Sequence, residues 1–220
     1  MGLMPLLALD TSLAACSVAL WRENALVAER WEPMSKGHAE ALVPMIQDVC
    51  ARGDVALNEI GAFAVTCGPG TFTGIRVGLA TARGLALIHR RPIVGLSTLA
   101  VIAATAVIGD GAPVLVVQDA RRGEVYAERI GDPRGPLLLR RDDLAGAFTE
   151  RPLRIVGSAA REAADRLGSG TTVAAAEILP RAAAAARLAA AALAADGPEP
   201  YRTPPTPLYL RAPDAKLPPS

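Results

Sequence analysis

Three short apolar runs open the chain, and the spacing between them limits what it can fold into. PLLALD (5–10), AACSVALW (14–21) and ALVAERW (25–31) are each of strand length. Their connections are too short to cross a sheet, so successive strands must turn back on one another as an antiparallel meander. The polar stretch RENA, beginning at Arg22, supplies the second turn. From there the pattern alternates. HAEALVPMIQDVCARG places Leu42, Met45, Ile46 and Val49 at helical spacing, with Gly53 as a stop and Pro44 weakening the first turns. AFAVTC (62–67) reads as a buried strand, a helix runs from about Thr73 to His89, PIVGL (92–96) is a further strand, and Ser97, Thr98 and Leu99 open another apolar helix. A strictly alternating order would predict a doubly wound parallel sheet. A meander followed by crossovers predicts an α/β fold with a mixed sheet of the ribonuclease-H-like or actin-like ATPase type.

The second half restarts with PVLVVQDARRGEVYAERI (113–130), two strands around Arg121, Arg122 and Gly123 that read as a hairpin. LRIVGS (153–158) and a short helix follow, then the alanine-rich helix PRAAAAARLAAAALAADG, which stops at Gly197. This division predicts an N-terminal lobe over 1–105, a reduced second lobe over 106–197 and a proline-rich tail over 198–220 that packs back on the body through PLYLR (207–211).

With 51% hydrophobic residues among 220, a core is assured, and a net charge of +1 excludes a bulk basic field that would recruit nucleic acid or anionic lipid. Cys16, Cys50 and Cys67 form neither a disulfide ladder nor a C-x-x-C clip, which fits a reducing cytoplasm. Cys67 reads as a small packed thiol. LAAC (13–16) imitates a lipoprotein cleavage box, but no Lys or Arg precedes Arg22 and Asp10 interrupts the apolar stretch, so no signal peptide is expected. The apolar run TLAVIAATAVIG from Thr98 is too short for a bilayer span, which takes about 20 residues.

Two motifs could carry chemistry. In nucleotide-splitting enzymes of this topology, an acid and hydroxyls at the end of the first strand hold a metal-bound phosphate, and LALDTS places Asp10, Thr11 and Ser12 there. The same residues also satisfy a plain hydrogen-bonded turn. CGPGTFTGIRVG (67–78) is a glycine loop entering a helix N-terminus, a geometry that suits anions. It has neither the G-K-[ST] of a Walker loop nor the spacing of G-x-G-x-x-G, and GLST stands where a dinucleotide site wants an acid. In the helix, Gly74, Gly78, Ala82 and Ala86 form a stripe of small residues, while Arg76 and Arg83 share one line. The stripe suits either the chain's own second half or another subunit. His38 and Glu40 fall on different helix faces, His89 closes a helix beside Arg90 and Arg91, and no metal or nucleophile constellation can be assembled.

LALDTSLAACSVAL, HAEALVPMI, AVTCGPGTFTGIRVGLATARGLAL, PIVGLSTLA, QDARRGEVYAE and PLYLRAPDAK, in that order over nearly the whole chain, resemble the TsaB (YeaZ) family. The resemblance implies an actin-like, two-lobed fold with a reduced second lobe. It also implies membership in the bacterial machinery that places threonylcarbamoyl on the adenosine beside the anticodon of certain tRNAs. The catalytic paralogue, TsaD, carries an H-x-x-x-H metal motif after the strand equivalent to PIVGL, where this chain has Thr98 and Ile102. Neither is a useful metal ligand, so the resemblance implies a non-catalytic subunit with no metal. Its implied partners are TsaD in a heterodimer, a second copy when alone, and the ATPase TsaE, with tRNA met only indirectly through the complex. The implied partner surface is Thr73, Gly74, Arg76, Val77, Gly78, Thr81 and Ala82 on one helix with His38, Leu42 and Met45 on its neighbour. On that reading Gly78→Leu weakens heterodimer formation. No cofactor is required, and weak ADP or ATP binding would fall at Asp10, Thr11, Ser12, Asp119 and Gly123. The competing readings are a small independent ATPase or sugar-kinase-like enzyme with Asp119 as base, and a glycoprotease-type metallopeptidase, which the missing histidines contradict.

Overall fold

The computed structural model describes residues 4–106, 111–176 and 178–211. Residues 107–109 of the apolar run from Thr98 and residues 212–216 of PLYLRAPDAK lie outside them. The opening meander is present: β1 (Leu6–Asp10), β2 (Ala15–Arg22) and β3 (Ala25–Pro33) pair antiparallel, with Leu9 opposite Val18 and Asp10 opposite Ser17. Glu23 and Asn24 take φ of 52° and 63°, the left-handed pair that a two-residue hairpin turn requires. β1 then pairs in parallel with β4 (Ala62–Gly68), and β4 with β5 (Ile93–Ser97), giving the order β3-β2-β1-β4-β5. This is the mixed ribonuclease-H-like sheet predicted above.

The second sheet repeats the plan. β6 (Val114–Arg121), β7 (Glu124–Arg129) and β8 (Leu137–Arg140) form a meander, and β9 (Leu153–Gly157) and β10 (Thr171–Ala176) join in parallel, in the order β10-β9-β6-β7-β8. Among the described residues six α-helices complete the duplication: α1 (His38–Arg52), α2 (Phe72–His89), α3 (Thr98–Thr105), α4 (Leu144–Ala147), α5 (Ala160–Leu167) and α6 (Ala182–Asp196). The chain thus writes the same strand and helix sequence twice, as two-lobed actin-like folds do. The shortening of the second lobe falls on its helices, since α4 and α5 have 4 and 8 residues against 15 and 18 in α1 and α2.

Period-two alternation in the first sheet sorts its side chains by size. Leu7, Leu9, Val18 and Leu20 point to α1 and α2, whereas Ala8, Ala19, Ala62 and Ala64 point to the other face. α6 occupies that second face, its Ala182, Ala185, Ala186 and Ala189 buried against the sheet's own alanines. The sequence division placed α6 in the second lobe with residues 106–197, and the structure corrects this. Small residues on both surfaces let the helix lie close to β1 and β2, a fit that the second sheet does not offer. Ser17 Oγ accepts the Ala182 N–H at 2.9 Å, and Arg181 pairs with Glu29 at 2.6 Å, which fixes the start of α6. α3 lies on the second sheet, where Leu99 and Ile102 pack with Val116 and Val156. Ser97 caps α3 and donates to Glu128 on β7 at 2.7 Å, tying the two lobes together.

Because α6 sits on an alanine floor, Ala185→Leu is expected to overpack it and lower unfolding free energy by about 1–3 kcal/mol. The exposed Ala191→Leu in the same helix is expected to change little. Urea denaturation of the two variants provides the comparison.

Candidate functional site

Asp10 ends β1 with its side chain wholly buried. Its Oδ1 accepts from Thr66 Oγ1 at 2.5 Å and from Ser12 Oγ at 2.7 Å, with the Ser12 N–H at 3.3 Å. Oδ2 has no partner among the described residues. Burial pushes the carboxyl up to about 6, against the Thr66 and Ser12 hydrogen bonds that favour the charged form. The neighbouring Thr11 donates its hydroxyl to the Gly74 carbonyl at 2.6 Å, so both hydroxyls of the Asp-Thr-Ser turn are spent inside the chain.

The glycine loop closes directly on that turn. Thr71 N–H donates to the Ser12 carbonyl at 2.8 Å, and Thr71 Oγ1 caps α2 by accepting the Gly74 N–H at 3.2 Å. Gly70 lies against the Ser12 carbonyl and Gly74 against the Thr11 carbonyl, with no space for a side chain at either. A Cβ at Gly78 would meet Thr11 Oγ1 at 2.6 Å. The loop therefore seats a helix against the first strand's turn, and the small-residue stripe is what permits the approach.

This packing corrects the predicted partner surface. Gly74, Gly78 and Ala82 face the chain's own core, as do Leu42 and Met45 of α1, so none of them is available to a second protein. Gly78→Leu would disturb the fold itself through Thr11, not heterodimer formation alone. Thr73, Arg76, Val77, Thr81 and His38 remain at the surface to differing degrees. His38 lies 3.0 Å from the Leu13 carbonyl. The line Thr73, Val77, Thr81, with Val77 packed partly against the core, continues to Ile88, which is 74% exposed, and Val43 is 51% exposed on α1. The sequence reading missed Ile88 and Val43, although a β-branched apolar residue off the buried stripe of an amphipathic helix was a usable signal.

The other flank of α2 is covered by the chain's tail. Leu208 N–H donates to the Cys67 carbonyl at 2.8 Å beside Gly68, whose φ of 117° only glycine adopts readily. Arg83 donates to the Pro205 carbonyl, Arg76 Nε donates to Tyr209 at 3.0 Å, and Tyr209 stacks on Phe72 with ring centroids 5.3 Å apart. Arg211 then pairs with Glu124 on the second lobe. Cys67 lies buried beneath this strap, its thiol pushed up to about 11 by burial, which makes it a packed thiol and a poor nucleophile.

Asp119 is held elsewhere. Its carboxylate accepts from Arg141 at 2.5 Å and from the Arg121 N–H at 2.9 Å, and Gly123 occupies the adjoining hairpin turn with φ of 75°. The β1–β2 turn meets the second lobe through Leu13, in the cluster that contains Tyr126. Thr98 and Ile102 are fully buried. Among the described residues no group of three His, Cys, Asp or Glu is placed to hold a metal, and no helix is long and apolar enough to cross a membrane.

Residues 32–196 match the family model of TsaD, tRNA N6-adenosine threonylcarbamoyltransferase. The chain is 43% identical over 134 residues to the Escherichia coli tRNA threonylcarbamoyladenosine biosynthesis protein TsaB, a match covering 60% of this chain and 58% of that protein. It is 34% identical over 223 residues to an uncharacterized protein of Mycobacterium bovis, covering 96% of this chain and 93% of the other. The solved structure of YeaZ from Pseudomonas aeruginosa has a TM-score of 0.76 at 30% identity, covering 94% of this chain and all of that one. An actin-like protein of the threonylcarbamoyltransferase superfamily is thereby defined. Within it, the chain belongs to the TsaB (YeaZ) family.

Asp10 has a measurable signature. Its folded-state pKa, about 6, lies above the ordinary 3.8, so the native state holds the proton more tightly. Its contribution to stability is fully present below about pH 4, is lost as pH rises through about 6, and leaves a buried charge above that. Asp10→Asn is expected to raise unfolding free energy at pH 8 by up to about 3 kcal/mol and to change little at pH 4. Urea titrations at both values test this; an equal effect at both would contradict it.

Proposed function

We propose that the chain is the non-catalytic docking subunit of a cytoplasmic complex that installs threonylcarbamoyl on tRNA, and that it presents the outer faces of α1 and α2 to a TsaD-type transferase. The observation that carries this reading is the exposed apolar pair Ile88 on α2, 74% exposed at the end of the line Thr73, Val77 and Thr81, and Val43 on α1, 51% exposed, on two helices that touch one another. Exposed large apolar side chains on two adjacent helices are what a partner surface supplies. The same face serves a second copy of the chain when the transferase is absent, and a TsaE-type ATPase completes the assembly.

The buried chemistry supports a docking role. The positions that the resemblance aligns with the transferase's histidines hold a buried hydroxyl, Thr98, and a buried aliphatic group, Ile102. No cofactor is needed for docking. ADP or ATP would reach Asp10 only if Thr11 released Gly74 and the glycine loop withdrew, so nucleotide binding there is weak. The competing ATPase reading needs Asp119 free to act as base, whereas Arg141 occupies its carboxylate.

Val43→Asp combined with Ile88→Asp is expected to weaken association with the transferase at least tenfold, about 1.4 kcal/mol, without moving the urea midpoint. Threonylcarbamoyladenosine formation in a reconstituted reaction falls with it. Undiminished association of the folded variant in ultracentrifugation, or sustained ATP hydrolysis by the chain alone, would contradict the proposal.

A further inference from the structure

The far end of α2 carries a basic cleft that the docking role does not use. Arg83, Arg90, Arg91 and Arg202 converge on a space of about 290 Å³ between the helix end, the start of β5 and the tail. Its floor is apolar, formed by the buried Ile93, with the exposed Leu87 and Pro204 at the rim. No Asp or Glu among the described residues lines it, and the one carboxylate among them paired with this group is Glu199, at 2.9 Å from Arg202. Arg83 spends its donors on the neutral Pro205 carbonyl, which leaves its charge uncompensated. Among the described residues neither Arg90 nor Arg91 has a carboxylate partner, and Arg91 Nε is buried with no hydrogen-bond acceptor.

A cation at a helix C-terminus complements the dipole, and one is enough for that purpose. Four guanidinium groups around one cleft exceed it. Their mutual repulsion and the unmet Arg91 donor are both relieved by an anion, and the planar guanidinium fork matches the oxygens of a phosphate. The apolar floor asks in addition for a flat, weakly polar group beside that phosphate. A nucleotide unit supplies both. The chain's net charge of +1 excludes a bulk basic field but not a local one.

We propose that this cleft binds the tRNA backbone directly, one phosphate held by Arg90 and Arg91 and the attached sugar or base resting on Leu87, Ile93 and Pro204. The proposal rests on the tRNA-modification reading above and revises its expectation that tRNA is met only through the partner.

The test uses the assembled complex with its transferase and an unmodified tRNA transcript carrying adenosine beside the anticodon. The double variant Arg90→Gln, Arg91→Gln is compared with wild type by fluorescence anisotropy across a salt series. The variant is expected to bind at least tenfold more weakly, with a salt slope shallower by about 1–2, while its assembly and urea midpoint stay unchanged. Arg91→Lys, which keeps the charge but not the fork, is expected to fall between. Unchanged tRNA affinity and slope would overturn the proposal. So would lost transferase assembly with intact tRNA binding, which would assign the cleft to an acidic protein surface. ADP binding that depends on the two arginines while tRNA affinity is unaffected would equally overturn it, in favour of free nucleotide. A wild-type complex that makes no threonylcarbamoyladenosine would refute the underlying functional reading; modification and tRNA affinity both retained by the variant would refute the cleft alone.

Discussion

The hydrogen bond from Thr11 to the Gly74 carbonyl, and the backbone contact around it, is the constraint on which the rest of the structure depends. It joins the first strand's turn to the start of α2, two segments 63 residues apart, with glycines permitting the approach at positions 70, 74 and 78. Once α2 is seated this way, its small residues are used up inside the chain. Its other two flanks are then assigned, one to the tail through Arg76 and Arg83, the other to solvent through Thr73 and Ile88. The polar groups that would meet a phosphate in an enzyme of this topology serve instead as internal mortar, and Asp10 is left buried with one oxygen unmatched.

Duplication explains much of the architecture. Each half writes a meander, two parallel strands and three helices, and the third helix of each half, α3 or α6, packs across onto the other half's sheet. The exchange makes the lobes mutually dependent, because each sheet would expose an apolar face without the helix from its neighbour. Ser97 and Glu128, together with the Leu99, Ile102, Val116 and Val156 cluster, hold the seam between them.

Most of the first lobe was legible in the sequence because its strands are long, its helices are amphipathic and its turns carry strong punctuation such as Gly53. β8 and β10 were not read: Leu137–Arg140 offers four residues with no alternation, and Thr171–Ala176 is too alanine-rich to show a strand period. The stripe from Gly74 to Ala86 was seen, but its direction was not, since small residues fit close packing within a chain as well as between chains. The partner of the stripe, Thr11, lies across the sheet and leaves no local signal. α6 was recognised as a helix and assigned to the wrong lobe for the same reason: an alanine surface declares that something approaches closely without saying what. The clustering of Arg90, Arg91 and Arg202 depends on where the tail returns, which only the fold reveals.

The central claim of the proposed function is that the protein works through the outer faces of α1 and α2 while the Asp10–Ser12 turn stays closed. Hydroxyl-radical footprinting of the chain alone and in complex with the transferase tests this most directly. The account predicts that Ile88 and Val43 lose reactivity on complex formation. Both side chains reacting as fast in the complex as in the free chain would contradict it.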